Sequence, residues 1–283
     1  MHVISIKTLR MKLSLLFFLV LPFLSLAQAP VFDYGTKSIE ARIAYQTGWE
    51  QILDLGQWTK AEESFRKAAA LDPDFKLAWS QVGRISNDPV ERASIYTKLK
   101  NALGDSSWES KLLEVYMGSL QLIDARDRGQ AIQPEQVKQF YEVSLTNFST
   151  LRESFTDEPY INAEYIEVIH GIYGAKAALD SMELQGNSGR KTSPFLASYT
   201  SQMWAELKDF KKANEALAAL KAQFSDSDLP IIYFTEATLY FEEGELVEAE
   251  KLIDRTLFAD PKHTLAKRLK KRISEELKKQ KAE

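Results

Sequence analysis

The chain has 283 residues, 45% of them hydrophobic and 27% charged, with a formal charge of −4, the makeup of a globular protein and not of a disordered or fibrous one. It contains no cysteine and three histidines, which excludes disulfide frameworks, thiolate nucleophiles, iron–sulfur ligation and zinc ribbons and leaves little material for a metal site. Its acidic balance argues against nucleic acid as the main partner.

Lys7, Arg10 and Lys12 precede an apolar run from Leu13 to Ala27 that ends Ser25-Leu26-Ala27, with small residues at the spacing a signal peptidase reads. Residues 1–27 are therefore expected to be a signal peptide, with Gln28 opening the mature chain. A cut after Ala29 would leave Pro30 in a poor position. A retained anchor would need roughly twenty apolar residues, and this run is shorter and broken by Pro22. Met11 is a second possible start, since Met11-Lys12-Leu13 opens a complete short leader. No cysteine follows the run, so lipoprotein attachment is excluded. Loss of the leader removes three positive charges and takes the net charge from −4 to −7. The expectation is an exported protein, periplasmic or secreted, in which residues 28–40 form an extended N-terminal segment.

The remainder reads as helix after helix. Prolines at 73, 89, 134, 159, 194, 230 and 261 lie between apolar-periodic segments, where a proline opens a helix at its first turn but cannot continue one. Pro159, Pro194 and Pro230 are 35 and 36 residues apart, the range in which helix-pair repeats recur. From Ala41 to Pro73, Tyr45, Gly48, Trp49 and Ile52 mark a first helix, Gly56 a turn, and Ala61, Phe65 and Ala68 a second helix closed by Leu71-Asp72-Pro73. From Leu229 to Pro261, Tyr233, Ala237, Tyr240 and Phe241 mark the first helix, Gly244 the turn, and Ala249, Ile253 and Leu257 the second, closed by Asp260-Pro261. In both copies the turn glycine lies five residues before the small residue at the helix crossing, and the closing proline twelve residues after it.

This pattern resembles the tetratricopeptide repeat, a helix-turn-helix of roughly 34 residues. Pro194 to Ser225 is a weaker copy, with Ser201, Trp204, Ala213 and Leu217 in register, Lys208 at the turn and no closing proline. A degenerate copy begins at Lys76 with Trp79 and Gly83, then starts its second helix early at Asn87-Asp88-Pro89. Between Ser106 and Asn187 there are amphipathic faces without clear register: Trp108, Leu112, Tyr116 and Leu120; Val137, Phe140, Tyr141, Phe148 and Leu151; and Tyr165, Val168, Ile169, Ile172 and Leu179. The polar stretch from Gly186 to Thr192 is expected to be a flexible loop. The tail repeats Leu265, Leu269, Ile273 and Leu277 on one stripe among many lysines and arginines, which suits a capping helix with a solvated basic face and alternatively a contact with an anionic membrane or acidic protein.

The expected fold is all-α: helix-turn-helix repeats stacked as a right-handed α-solenoid, with repeats at 41–105 and 193–261, divergent hairpins at 106–192 and a basic capping helix at 262–283. In the family that this chain resembles, the first helix of each pair lines a concave groove that holds a peptide. The resemblance thus implies groove positions at Gln46, Glu50 and Leu53, at Phe195, Tyr199 and Gln202, and at Phe234, Thr238 and Phe241. The lysine and asparagine pattern with which some relatives clamp a terminal carboxylate is missing at Gln46 and Glu50. Phe234 and Phe241 have a second reading, packing on a neighbouring helix.

No nucleophile elbow, phosphate-binding glycine loop or His-Glu-x-x-His occurs. His170 has no second histidine at ligand spacing and reads as a core histidine, satisfied or partly exposed. Asn147-Phe148-Ser149 matches a glycosylation acceptor, but Phe148 belongs to the apolar face of its helix. The sequence therefore points to a non-enzymatic scaffold or adaptor in the cell envelope that binds a hydrophobic protein segment, without cofactor, metal or nucleic acid. The alternative is a helical protein whose middle folds around an apolar cavity that takes a small molecule or lipid.

Overall fold

The computed structural model describes residues 32–103, 107–186, 193–226 and 228–280, all within one compact unit, Val31–Glu283. The leader read at 1–27 and the loop expected at 187–192 lie outside the described residues. Among the described residues there are thirteen α-helices and no strand: α1 Ile39–Leu53, α2 Trp58–Leu71, α3 Lys76–Ile85, α4 Pro89–Leu99, α5 Trp108–Asp127, α6 Pro134–Ser154, α7 Pro159–Tyr173, α8 Ala175–Gly186, α9 Pro194–Glu206, α10 Phe210–Lys221, α11 Pro230–Glu243, α12 Leu246–Ala259 and α13 Thr264–Gln280. The chain is all-α.

The prolines fix where helices begin. Pro89, Pro134, Pro159, Pro194 and Pro230 occupy the first turns of α4, α6, α7, α9 and α11, where the missing N–H would have had no intrahelical partner. Ser38, Asp88, Ser107 and Ser193 accept backbone N–H groups at the starts of α1, α4, α5 and α9, each such cap contributing about 1 kcal/mol. Between α7 and α8, Gly174 at φ 84° stops the helix. The apolar face read as one stripe from Tyr165 to Leu179 is thus divided over two helices, with Leu179 on α8. Lys208, at the turn of the weaker copy, adopts φ 63°, the conformation that glycine takes at the other turns.

Successive helices pack on one another from α1 to α13, with α4 wedged between α3 and α5 and α9 also meeting α11. The tightest crossing joins α1 to α2, where Ala61 and Phe65 are fully buried. A Cβ on Gly48 would stand 2.6 Å from the Phe65 ring, so the small residue sets how closely the two helices approach. Tyr45 lies at the centre of an aromatic cluster, with ring centroids 5.0 to 6.3 Å from those of Tyr34, Trp49, Phe65 and Phe75. Burying each such ring stabilises the fold by roughly 1.5–3 kcal/mol. At the other end, Ala266, Leu269 and Ile273 of α13 are buried against the apolar faces of α11 and α12, around Phe234, Ala249 and Ile253. Half of the amphipathic tail thereby becomes core, while Lys267, Arg268 and Lys271 remain exposed.

Candidate functional site

The first hairpin meets the last. At the start of α2, Thr59 donates from its backbone N–H (3.0 Å) and its hydroxyl (2.6 Å) to the carboxylate of Asp260, which follows α12. Lys262 forms an ion pair with Glu62, and His263 packs its ring between Trp58 and Phe234. In the α1–α2 turn, Leu55 accepts from the N–H of Ile231 at 3.3 Å, and Asp54 accepts from the N–H of Phe195 at 3.0 Å. The Tyr160 hydroxyl of α7 donates to the Gln46 carbonyl at 3.2 Å, and its ring stacks on Trp49. Helix contacts therefore run from α1 through α13 and return to the first hairpin.

Burial governs the chemistry of this seam. Desolvation pushes the His263 pKa down to about 4, opposed by the charge of Asp260. The ring is thus neutral at physiological pH, and its Nδ1 accepts the Ala266 N–H at the start of α13. Asp54 is held above the usual carboxylate range by burial, with the Phe195 N–H opposing.

Inside this circuit lies a cavity of about 680 Å³, within the range of small-molecule sites. Its wall is drawn mainly from every second helix: Trp49, Ile52 and Leu53 of α1, Gln81, Arg84 and Ile85 of α3, Glu164 and Glu167 of α7, Phe195, Ser198, Tyr199 and Gln202 of α9, Ile231 and Phe234 of α11, and Leu265 and Arg268 of α13. Helices α5 and α6 supply Leu122, Ile123, Arg126, Val137, Phe140 and Tyr141. About half of the lining residues are aliphatic or aromatic, and nine are charged.

Those charged groups fall into two sets. Deep in the wall, Glu164 accepts the Tyr116 hydroxyl at 2.5 Å and lies 3.5 Å from Arg84, whose guanidinium covers the Tyr116 ring. Burial raises the Glu164 pKa, while Arg84 and the Tyr116 hydrogen bond oppose the rise. One turn on, Glu167 is pushed up to about 7, first by burial and then by the charge of Glu164, with Arg84 opposing. These neighbouring acids thus hold fewer than two negative charges near neutrality. Arg92 forms the second set's foundation. It is 2% exposed, donates to the Ser86 carbonyl and Asp127 at 2.7 Å, and reaches Asp124 at 3.3 Å, which fixes the C-terminal end of α5 and with it Arg126. Two buried donors of the wall, Gln81 Nε2 and Arg92 Nε, have no hydrogen-bond partner among the described residues.

Of the nine groove positions implied by the repeat resemblance, Leu53, Phe195, Tyr199, Gln202 and Phe234 line the cavity. Gln46, Glu50, Thr238 and Phe241 do not. Gln46 gives its carbonyl to Tyr160, and Glu50 is exposed. The Thr238 hydroxyl turns back to the Phe234 carbonyl, and Phe241 lies under the Arg272 guanidinium, 4.5 Å from it. The four lie outside because α1 and α11 each present one narrow stripe to the cavity and α13 covers part of α11. Sequence reasoning missed Arg84, Glu164, Glu167 and Arg126. A signal existed for the two acids, which stand three residues apart on one face of a helix otherwise rich in Ile and Val. His170 is hydrogen-bonded to Tyr199 at 2.8 Å and to Glu206 at 3.0 Å. Phe148 is buried and Asn147 donates to the Lys111 carbonyl and Glu114, so that acceptor motif is embedded in packed structure.

Among the described residues no group of His, Asp and Glu side chains has the arrangement of a metal site, and no helix is long and apolar enough to cross a membrane. Compared with protein-family models, curated proteins and solved structures, the chain matches none.

Proposed function

We propose that this chain is an exported binding protein, not an enzyme, and that it holds one small, largely apolar molecule in the cavity enclosed by its helices. The fold behind this reading is a tetratricopeptide-like α-solenoid whose two ends have met, so that the groove of an open repeat array becomes an interior. The observation that carries it is the cavity itself, of about 680 Å³, closed by the seam between α1–α2 and α11–α13. The lining by every second helix is what the repeat resemblance implies for a concave face. A scaffold that lays a partner's extended segment along that face needs an open path through it, and Asp54, Thr59 and Glu62 are bonded across that path to Phe195, Asp260 and Lys262. A compact ligand needs no such path, which favours the small-molecule reading over the scaffold.

The test is a titration with N-phenyl-1-naphthylamine, an uncharged dye that fluoresces in apolar surroundings. The expected result is saturable uptake of one dye per chain. Ser119 lines the cavity and is only partly exposed, so Ser119→Trp fills the space from α5. That variant, shown by circular dichroism to remain helical, is expected to lose about tenfold or more in affinity. Absence of saturable uptake, or uptake indifferent to Ser119→Trp, would return the scaffold reading to first place.

A further inference from the structure

The cavity is not electrically neutral along its length. Its mouth is lined by Arg126, at the C-terminal end of α5, and by Lys267, Arg268 and Lys271 on one face of α13. Neighbouring cations on these helices are matched: Arg128 with Asp124, Lys270 with Asp254 and Lys279 with Glu276, at 2.8, 2.6 and 2.7 Å. Arg126, Lys267 and Arg268 have no ion-pair partner among the described residues, and Lys271 reaches Glu275 only at 3.9 Å. The carboxylate at this end, Asp127, is already held by Arg92 at 2.7 Å. Arg126 and Arg268, on elements far apart in sequence, thus line the same entrance, and Asp127 beside them is already engaged by Arg92.

The less exposed part of the lining is apolar, with Phe140, Tyr141, Phe195 and Phe234, and includes Glu164 and Glu167. Cations at the entrance attract one negative group, whereas the apolar side chains behind them offer a second one no partner, and Arg84 is already engaged by Glu164. We infer that the ligand is an amphiphile with a single acid group, a carboxylate, sulfonate or phosphate on an apolar body, its acid gripped between Arg126 and Arg268 and its body inside the cavity. Arginine suits this task because its planar fork meets two oxygens of an oxyanion at once. The inference rests on the cavity reading above and adds the charge and the orientation of what fills it.

The closing experiment uses a matched pair of dyes: 8-anilino-1-naphthalenesulfonate and N-phenyl-1-naphthylamine, the same skeleton with and without the sulfonate. On the parent protein the sulfonate dye is expected to bind about tenfold more tightly, and more weakly as salt is raised. In Arg126→Gln combined with Arg268→Gln, the ratio of the two affinities is expected to fall to about one. The empty variant is also expected to melt no lower than the parent, because removing two unmatched like charges relieves repulsion, which a merely structural role for these arginines would not do. If neither dye binds, the cavity reading fails and this inference falls with it. If the neutral dye binds but the sulfonate dye binds no better, or the ratio survives the double substitution, the cavity stands and the acid-group inference is overturned. Displacement of the sulfonate dye by submillimolar inorganic phosphate would assign the pair to a free oxyanion and overturn the amphiphile. Loss of binding to phosphatidylglycerol vesicles in the variant, with the dye ratio unchanged, would assign the basic mouth to a membrane surface instead.

Discussion

The hairpins α1–α2 and α11–α12 carry the same pattern 188 residues apart: Gly56 answers Gly244, Ala61 answers Ala249, and Asp72 answers Asp260. The backbone follows suit. Asp72 ends α2 at φ −137°, ψ 95°, and Asp260 ends α12 at φ −141°, ψ 96°. Each aspartate accepts the N–H two residues on, from Asp74 and Lys262, as such turns favour. Their further partners differ. Asp72 takes the hydroxyl of Thr36, in the segment leading into its own hairpin, whereas Asp260 takes both the N–H and the hydroxyl of Thr59 from the opposite end of the chain. The turn glycines diverge likewise. Both have positive φ, 68° and 88°, but a Cβ on Gly56 would lie 2.7 Å from the Ile231 backbone nitrogen, while one on Gly244 would meet nothing within 4 Å. One repeat motif thus builds two equivalent hairpins that join through different parts, the turn of the first and the closing aspartate of the last.

The largest expected effect follows from the glycines. Gly244→Ala places a side chain in a left-handed conformation and is expected to cost about 1 kcal/mol. Gly56→Ala adds a collision with backbone that cannot swing aside, and about 3 kcal/mol in all is expected, with α11 displaced from the first hairpin. Thermal unfolding checks this, the Gly56 variant melting roughly 8 °C below the parent and the Gly244 variant roughly 3 °C below. Equal shifts would mean that the first turn does not bear on α11, and the comparison would break there.

The aspartates come next. Asp260→Ala leaves the Thr59 N–H and hydroxyl without acceptors in a part-buried seam and is expected to cost about 2–3 kcal/mol. Asp72→Ala, at a more open position, is expected to cost about 1 kcal/mol. A double-mutant cycle of Asp260→Ala with Thr59→Val sharpens the contrast, because a direct bond across the seam gives a coupling of about 1 kcal/mol or more. Additive effects would show that the two hairpins are neighbours without being joined.

The contrast also explains what was legible in the sequence. Proline positions, turn glycines and apolar spacing are local signals, and they placed helix boundaries from Gly56 to Pro261 because capping and backbone conformation are decided within a few residues. Closure is not local. Thr59, Glu62 and Asp54 are ordinary polar residues at helix ends, and nothing in their neighbourhood distinguishes a surface residue from one bonded to a partner 201 positions away, as Thr59 is to Asp260. The cavity followed the same rule. Leu53, Phe195 and Phe234 could be placed on inward-facing helices by register, but Glu164, Glu167 and Arg126 acquire their character only when α3, α5, α7 and α13 converge. In the middle of the chain Gly174 divided a face that periodicity alone had joined, since apolar spacing continues across a break that one backbone angle imposes.

The smallest expected effect is a change of pH dependence at the position after each closing proline turn, where Phe75 of the first hairpin corresponds to His263 of the last. Both are buried, Phe75 fully and His263 at 2% exposure. The folded protein keeps His263 neutral down to about pH 4, whereas the unfolded chain takes up that proton near pH 6.5. Between these values the unfolded state binds more protons than the folded state, so the stability contributed by the neutral ring is complete above pH 6.5 and is lost as the pH falls toward 4, by on the order of 3 kcal/mol. His263→Phe makes the last hairpin match the first and removes this loss. At pH 7.5 the variant is expected to melt slightly below the parent, because the Ala266 N–H loses its acceptor, at a cost of about 1 kcal/mol. As the pH is lowered to 4.5 the difference is expected to shrink and then reverse in the variant's favour. Carboxylates such as Glu91, held at about 2 mainly by Arg66, titrate alike in both proteins and cancel from the difference. A difference in melting temperature that stays constant from pH 7.5 to 4.5 would mean that His263 is hydrated in the folded state, and that the seam between the first and last hairpins is open to water at the point where Trp58 and Phe234 enclose it.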